Sequence, residues 1–342
     1  MFKKIAAAAL CLLLFSVSGC KSEKTASIPS EPEVVSEVSS VVEPVYYVNR
    51  LTGEQNLSQE AANQVPVAIM INNISQAQRV QTGVNKADIV YETEVEAGIT
   101  RLMAVYQDIA SVGRIGTIRS ARYAYVDLAL GHGAIYLHHG QDEKYCGPHL
   151  RDITHYTVGT NNCGKRISNG LSSEHTLYTD GKGVYNSFVK GKTAKKTENW
   201  QNFADSETAV ALNGGSCTNV NIPFSASYKT GFVYDSGTGM YTRQFNGNVL
   251  KDYVTGETTQ VKNVFVLKTS IYDYSDGYHR NVSLQGGDGY YIVNGTYAPI
   301  KWTKGSSKNG FTFTNTDGTP LTVNVGNSWV CIANKNVNVG IG

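Results

Sequence analysis

Proline is scarce in this chain, 8 in 342 residues, tryptophan occurs three times, and neither sign of charge dominates: Lys and Arg total 30, Asp and Glu 28. A nucleic-acid binder carries a basic surplus to displace the counterions of a phosphate backbone, so the balance argues against nucleic acid as a partner. After the first fifteen residues no apolar run approaches the roughly 20 residues of a spanning helix. The patterns GxxxxGK[ST], GxGxxG and HExxH are missing, which leaves nucleotide-binding and zinc-protease readings without a motif, and no cofactor is expected. GxSxG is missing as well, so Ser120 near a histidine does not make a serine hydrolase.

The N-terminus carries the strongest signal. Lys3 and Lys4 precede an apolar run from Ile5 to Phe15, closed by Ser16-Val17-Ser18-Gly19-Cys20. A charged start, a dozen apolar residues and small residues before a cysteine make a signal peptide of the lipoprotein kind over 1–19, with Cys20 lipidated. The expected location is extracytoplasmic, on the cell membrane through that lipid. Removing Lys3 and Lys4 takes away two of the 30 basic side chains and none of the 28 acids, so the mature chain is neutral. Residues 20–45 form a tether of Ser, Glu, Val, Pro and Lys without an aromatic side chain, too polar to offset its ordering entropy. Its mean reach is about 25–30 Å, and about 85 Å if stretched.

Four cysteines remain in the mature globular part: Cys146, Cys163, Cys217 and Cys331. An even number in an oxidising compartment predicts disulfides, and the pairs Cys146–Cys163 and Cys217–Cys331 are favoured among three connectivities. Zinc is the competitor, because Cys146-Gly147-Pro148-His149 spaces sulfur and imidazole near His138, His139, His155 and His175. No CxxC pair accompanies it, and no metal site is expected.

Two regions follow. Over 46–213 the sequence predicts a mixed α/β domain, with strands at Val65–Ile71, Ala87–Tyr91, Ile99–Tyr106 and Ala134–Leu137. A helix is expected after Ser120 as N-cap, with Tyr123, Val126 and Leu130 on its inner face and Gly131 and Gly133 as its stop. Val184–Val189 is a second helix candidate. From 214 to 342 short alternating stretches are separated by turns such as Asn246-Gly247, Asn294-Gly295 and Asp317-Gly318, which predicts an antiparallel β-rich domain. The fold class is α+β.

Candidate chemistry lies in the first region. Glu92, Glu94 and Glu96 alternate, and in a strand all three project from one face. Three carboxylates about 7 Å apart repel unless cations intervene. Arg101, Arg119 and Arg122 are the nearest cations, and with Ser120 at a helix start they make a candidate site for a phosphate or carboxylate. His138 ends a strand and His175 lies in Ser173-Glu174-His175-Thr176, so either could join a glutamate in catalysis. The primary expectation is a binding or scaffolding module of the envelope, with an anionic ligand or a protein partner at the arginines. The alternative is an enzyme acting on envelope glycans or peptides through the glutamates and a histidine.

Segments of both regions line up with a known family. Pro66–Asn73, Ala87–Glu92, Glu96–Arg101, Ile115–Arg122, His138 and His175 resemble the YerB-like bacterial lipoproteins, also known as DUF3048, a domain of unknown function. Met240–Arg243, Lys262–Val264, Asn294-Gly295, Lys301-Trp302 and Asn327–Trp329 resemble that family's separate C-terminal domain. The resemblance implies a two-part envelope lipoprotein and no established reaction. This chain has Gly116-Thr117-Ile118-Arg119-Ser120 where the family usually reads Gly-Pro-Val-Arg-Ser, and Glu174-His175-Thr176 where Pro-His-Asn is typical.

Overall fold

In the computed structural model, which describes residues 44–205 and 209–342, the apolar run after Pro66 becomes strand β1 (Val67–Asn72), every residue of it buried. Val67, Ile69 and Ile71 pack into one core and Ala68 and Met70 into another, so the run is apolar throughout because both faces are covered. The expected signal peptide, lipidated Cys20 and nearly all of the 20–45 tether lie outside the described residues. Among the described residues no helix is long and apolar enough to cross a membrane.

Strands β2 (Ile89–Glu94), β3 (Thr100–Tyr106), β4 (Ile135–His138) and β5 (His155–Thr157) follow. The later segment supplies β6 (Asn219–Pro223), β7 (Lys229–Asp235), β8 (Met240–Phe245), β9 (Asn263–Thr269), β10 (Gly286–Val293), β11 (Thr296–Thr303), β12 (Thr312–Asn315) and β13 (Ser328–Asn334). An α/β segment is thus followed by a β-rich one in which hairpins dominate.

Ten of these strands share one sheet, in the order β12-β11-β10-β9-β13-β2-β3-β1-β4-β5. The late strand β13 is inserted between β9 and β2 and runs parallel to both, with Trp329 opposite Val90 and Cys331 opposite Glu92. Val45–Gly342 form one compact unit. A second sheet built on β6, β7 and β8 covers one face of the large sheet, with Val220, Ile222, Phe232, Tyr241 and Phe245 in the same core as Val90, Val264 and Trp329. The opposite face packs on helix α1 (Tyr123–His132) and on an aromatic group that includes Tyr91, Phe265, Trp302 and Phe311.

Helix α1 begins later than expected. Arg122 occupies the cap position and no side chain caps it, because the segment before it is spent on pairing: Ile118 N–H goes to Leu177 O, Arg119 N–H to Met70 O and Ala121 N–H to Gly140 O. Ser120 is therefore not an N-cap. The helix ends at Gly133, whose left-handed conformation (φ 64°) accepts the turn a residue with Cβ resists. The second candidate helix is present as two short helical turns, Gly181–Val184 and Tyr185–Val189, capped by the Asp180 carboxylate on Gly183 N–H.

The disulfide expectation is corrected. Cys146, Cys163, Cys217 and Cys331 are all buried free thiols. Cys146 packs in the core on the α1 side and Cys163 in the core on the opposite side, so the sheet system separates the first expected pair. Cys331 sits mid-strand in β13, while the Cys217 thiol donates to Asn219 O. Burial pushes the Cys146 thiol up to about 12 and that of Cys217 up to about 11, which makes them inert core residues. Among the described residues no group of three His, Cys, Asp or Glu is arranged to hold a metal ion.

Candidate functional site

Strands β1, β4 and β5 run parallel, so Asn72, His138 and Thr157 finish at the same edge. Ligands of open α/β sheets bind outside such carboxyl ends. Here Asn72 Nδ2 lies 2.8 Å from His175 Nδ1. The turn carrying His175 (Ser173–His175) also carries Glu174, whose carboxylate accepts from Arg119 Nη2 at 2.9 Å and lies 3.4 Å from His175 Nε2. Arg119 is fixed by its backbone, since its carbonyl accepts from His139 N–H. His139 Nε2 in turn lies 3.3 Å from Arg166 Nη2, and Arg166 donates to Ser173 O and to Thr176 Oγ1. Arg119, His139, Arg166 and His175 are thereby gathered around one turn.

Protonation within this group follows from burial. His138 is pushed down to about 4, first by burial, with His155 and His139 adding repulsion; its Nε2 lies 3.0 Å from His155 Nδ1. Burial lowers His175 too, although Glu174 opposes the shift. Both imidazoles are neutral at pH 7, which leaves guanidiniums as the permanent charges. Arg119 is partly exposed, and among the described residues its Nε has no partner and its one ion pair is with the more exposed Glu174.

Arg101 and Arg122 are engaged differently. Both converge on Glu96: Arg101 Nη2 at 2.9 Å, Arg122 Nε at 2.8 Å, and a further contact from Arg122 Nη2. Burial alone raises the Glu96 carboxyl, but the Arg122 hydrogen bond and the two positive charges outweigh it and hold the group at about 2. Arg101 also donates to Ser120 O at 2.8 Å, which ties the strand to the segment before α1, and burial beside Arg122 lowers its guanidinium to about 10. Ser120 thus contributes its carbonyl to this arrangement. Around the Ser173–His175 turn, Arg119 and Arg166 meet one carboxylate, Glu174, among the described ion pairs, so a positive surplus remains there.

The three glutamates do not share one face with one set of partners, which corrects the expectation from their alternation. Regular strand stops at Glu94, and Glu96 enters a tight turn where Ala97 adopts φ 58°. Glu92 is sealed between the two sheets: it accepts from Thr100 Oγ1 and Thr230 Oγ1 at 2.8 Å, from Asn73 Nδ2 and from Trp329 Nε1 at 3.1 Å. Arg243, 1% exposed, lies 3.9 Å away with its guanidinium over the Trp329 ring. Sequence reasoning missed Arg243 and Thr230. The available signal was Arg243 at an inward position of β8, between Tyr241 and Phe245, where a cation demands a buried partner.

Glu94 faces a narrow cleft shared with Glu96, Arg122, Asp142, Tyr145, Tyr274, His279 and Arg280. Arg280 Nε is 3.7 Å from Glu94, and His279 sits 2.8 Å from Asp276 and 3.8 Å from Asp142. Burial raises the Glu94 carboxyl, with Arg280 opposing. The cleft is roofed by the stacked Tyr145 and Tyr274 rings (3.9 Å) and encloses only about 20 Å³, room for about one water molecule. His138 and His175 take no part in it.

Comparison with known proteins agrees with this architecture. The chain is 26% identical over 339 residues to "Putative lipoprotein YerB" of Bacillus subtilis (strain 168), covering 97% of this chain and 96% of that one. It superposes on the crystal structure of the YerB protein from Bacillus subtilis with a TM-score of 0.71 at 23% identity, covering 86% of this chain and 99% of that chain. Residues 51–195 match the N-terminal domain of a protein of unknown function, DUF3048, and residues 220–330 match its C-terminal domain. With both parts matched in order, the chain belongs to the DUF3048 family.

Proposed function

We propose that the protein is an extracytoplasmic lipoprotein, anchored through Cys20, that binds an anionic envelope ligand at the edge carrying Arg119 and Arg166. One observation carries the reading: Arg101 and Arg122 are held by the buried Glu96, whereas among the described residues Arg119 pairs with the exposed Glu174 alone. A phosphate or carboxylate that displaces Glu174 gains a positioned guanidinium at little desolvation cost. Asn72 and His139 stand at the same edge. Calorimetric titration with inorganic phosphate tests this: the parent protein binds, Arg119→Ala and Arg166→Ala each weaken binding about tenfold, the loss expected for about 1.4 kcal/mol. Absence of saturable binding in low salt defeats the reading. Replacing Cys20 with serine moves the protein from the membrane fraction to the soluble fraction if the anchor is lipid; unchanged detergent-dependent association defeats the anchor.

A second reading rests on the Glu94 cleft, where a carboxyl raised by burial shares an enclosed space with Asp142 and His279. Two carboxyls with opposite tuning, Glu94 raised and Glu96 lowered, supply the acid and base character that glycan-acting enzymes use, and a glycan reaches them only when the Tyr145 and Tyr274 rings part, since the closed cleft holds about one water. Hydrolysis of an envelope glycan fraction, lost in Glu94→Gln with the melting temperature unchanged, favours it over the binding reading.

A further inference from the structure

At the other end of α1 lies a cleft of about 640 Å³ that is unrelated to the arginines of the proposed binding edge. The ten residues of the helix put about 15 Å between the two places. Three cations line it. Arg50 is 6% exposed and Lys304 3% exposed, while Lys196 stands at its rim, and the acid among the lining residues is the exposed Glu198.

What holds these cations does not neutralise them. Arg50 Nη2 donates to His132 O, Lys196 Nζ to Gly131 O and Lys308 O, and Lys304 Nζ to Ser306 O and Ser307 O. Carbonyls of the end of α1 and of residues 306–308 fix the geometry, and carry partial charge only. Each ammonium keeps one N–H to give, and Arg50 Nε is buried without a partner. Burial lowers the Lys304 ammonium to about 8, and Lys196 adds repulsion while Asp127 opposes it. Among the lining residues three positive charges face one exposed carboxylate, Glu198; Asp127 acts on Lys304 and Asp88 on Arg50 from outside the lining, so the concave space itself presents a positive surplus to an anion.

We infer that this cleft binds a monosaccharide carrying one anionic group, phosphate or carboxylate. The cations take the anionic group. The rest of the wall is made of neutral hydrogen-bonding side chains, Asn199, Gln285, Asn309, Thr303 and Thr312, beside the rings of Trp200 and Phe311. Amides and hydroxyls next to aromatic surface match the alternating hydroxyl and C–H faces of a sugar ring, and the volume exceeds what a bare ion fills. Neither observation depends on the Arg119 reading.

The test is titration of the purified mature Arg119→Ala protein, in which the other anion edge is disabled, with glucose 6-phosphate, glucuronate, glucose and inorganic phosphate, followed by calorimetry and by tryptophan fluorescence. At least one of the two anionic sugars binds saturably and at least tenfold more tightly than glucose or phosphate, and which one does identifies the anionic group. Lys196→Met, at the rim, weakens that binding tenfold or more without moving the melting temperature, and Glu198→Gln tightens it about threefold. Restoring Arg119 leaves the affinity of this cleft unchanged. Binding of neither sugar, equal binding of glucose or of phosphate alone, or indifference to Lys196→Met overturns the inference. Because Lys304 is buried, Lys304→Met is scored only after its folding is verified, and the rim variants decide the matter without it.

Discussion

The two arginine–carboxylate pairs on either side of Asn72 and Asn73 use the same chemistry to opposite ends. Glu92 and Arg243 are each about 1% exposed and belong to different sheets, whereas Arg119 and Glu174 meet at the surface with Glu174 half exposed. Inside, four neutral donors complete the coordination of Glu92, so the charges are bound into the packing between β2, β7, β8 and β13. Outside, one partner can leave without stranding the other, because water replaces it. Burial, more than ion-pair distance, separates a charge that holds the fold from a charge that can serve a ligand.

The largest effect is expected at the inner pair. Arg243→Met leaves the Glu92 carboxylate without its cation between the sheets, a loss of about 3–5 kcal/mol in chemical denaturation. Glu92→Leu combined with Arg243→Met removes both charges and is less destabilised than the sum of the two single variants. Simple additivity breaks the comparison, because it means the inner pair is no more coupled than a surface one.

Glu96 lies between these extremes and comes next. Its folded carboxyl sits at about 2 against an ordinary 4.5, so the group favours folding wherever it is ionised in the unfolded chain. The stability is present above pH 4.5 and is lost as the pH falls through the folded value near 2. Linkage puts it at about 3 kcal/mol. Glu96→Gln loses that amount at pH 7 and shows a flatter stability profile between pH 5 and 2. A variant whose acid limb matches the parent shows that Arg101 and Arg122 do not act through Glu96.

How much of this was legible follows from how local each cause is. β1, β3 and β4 were readable because continuous apolar runs report burial on both faces, and α1 because its inner positions recur at helical spacing. The start of α1 was not, since Ile118, Arg119 and Ala121 spend their N–H groups on Leu177, Met70 and Gly140, partners far along the chain. The insertion of β13 between β9 and β2 is likewise invisible to local pattern, and with it the burial of Glu92 beneath Trp329. Alternation placed Glu96 on the face of Glu92 and Glu94 only by assuming that the strand ran past Glu94. The free thiols were misread because compartment and even number say nothing of distance, and two of the four sit on opposite sides of the large sheet. Arg119, Ser120, Arg122 and His175 were picked out and do lie at one edge; His139 and Arg166 complete it and carried no motif.

Glu94 gives a smaller effect of opposite sign. Burial raises its carboxyl, so the ionised form is the disfavoured one and the group weakens folding as the pH rises through its unfolded and then its folded value. Glu94→Gln is therefore neutral or stabilising at pH 7, by up to about 1 kcal/mol after allowing for the lost attraction to Arg280. Destabilisation by more than that shows Arg280 to be the dominant partner and moves Glu94 into the class of Glu92.

The smallest change in stability, and the sharpest use of the comparison, belongs to the outer pair. Glu174→Gln removes an exposed carboxylate whose two neighbours, Arg119 and His175, keep other support: Arg119 through its backbone bonds to Met70 and His139, His175 through Asn72. The loss is under about 1 kcal/mol and vanishes in high salt, where an exposed pair is screened. The same substitution frees the Arg119 guanidinium, so phosphate binds more tightly to Glu174→Gln than to the parent, by a few-fold at low ionic strength. Unfolding and binding thus move in opposite directions when the carboxylate is a displaceable counter-ion. If Glu174→Gln destabilises strongly and binding does not improve, the outer pair is structural in the same sense as the inner one. The edge at Arg119 then has no claim to a ligand.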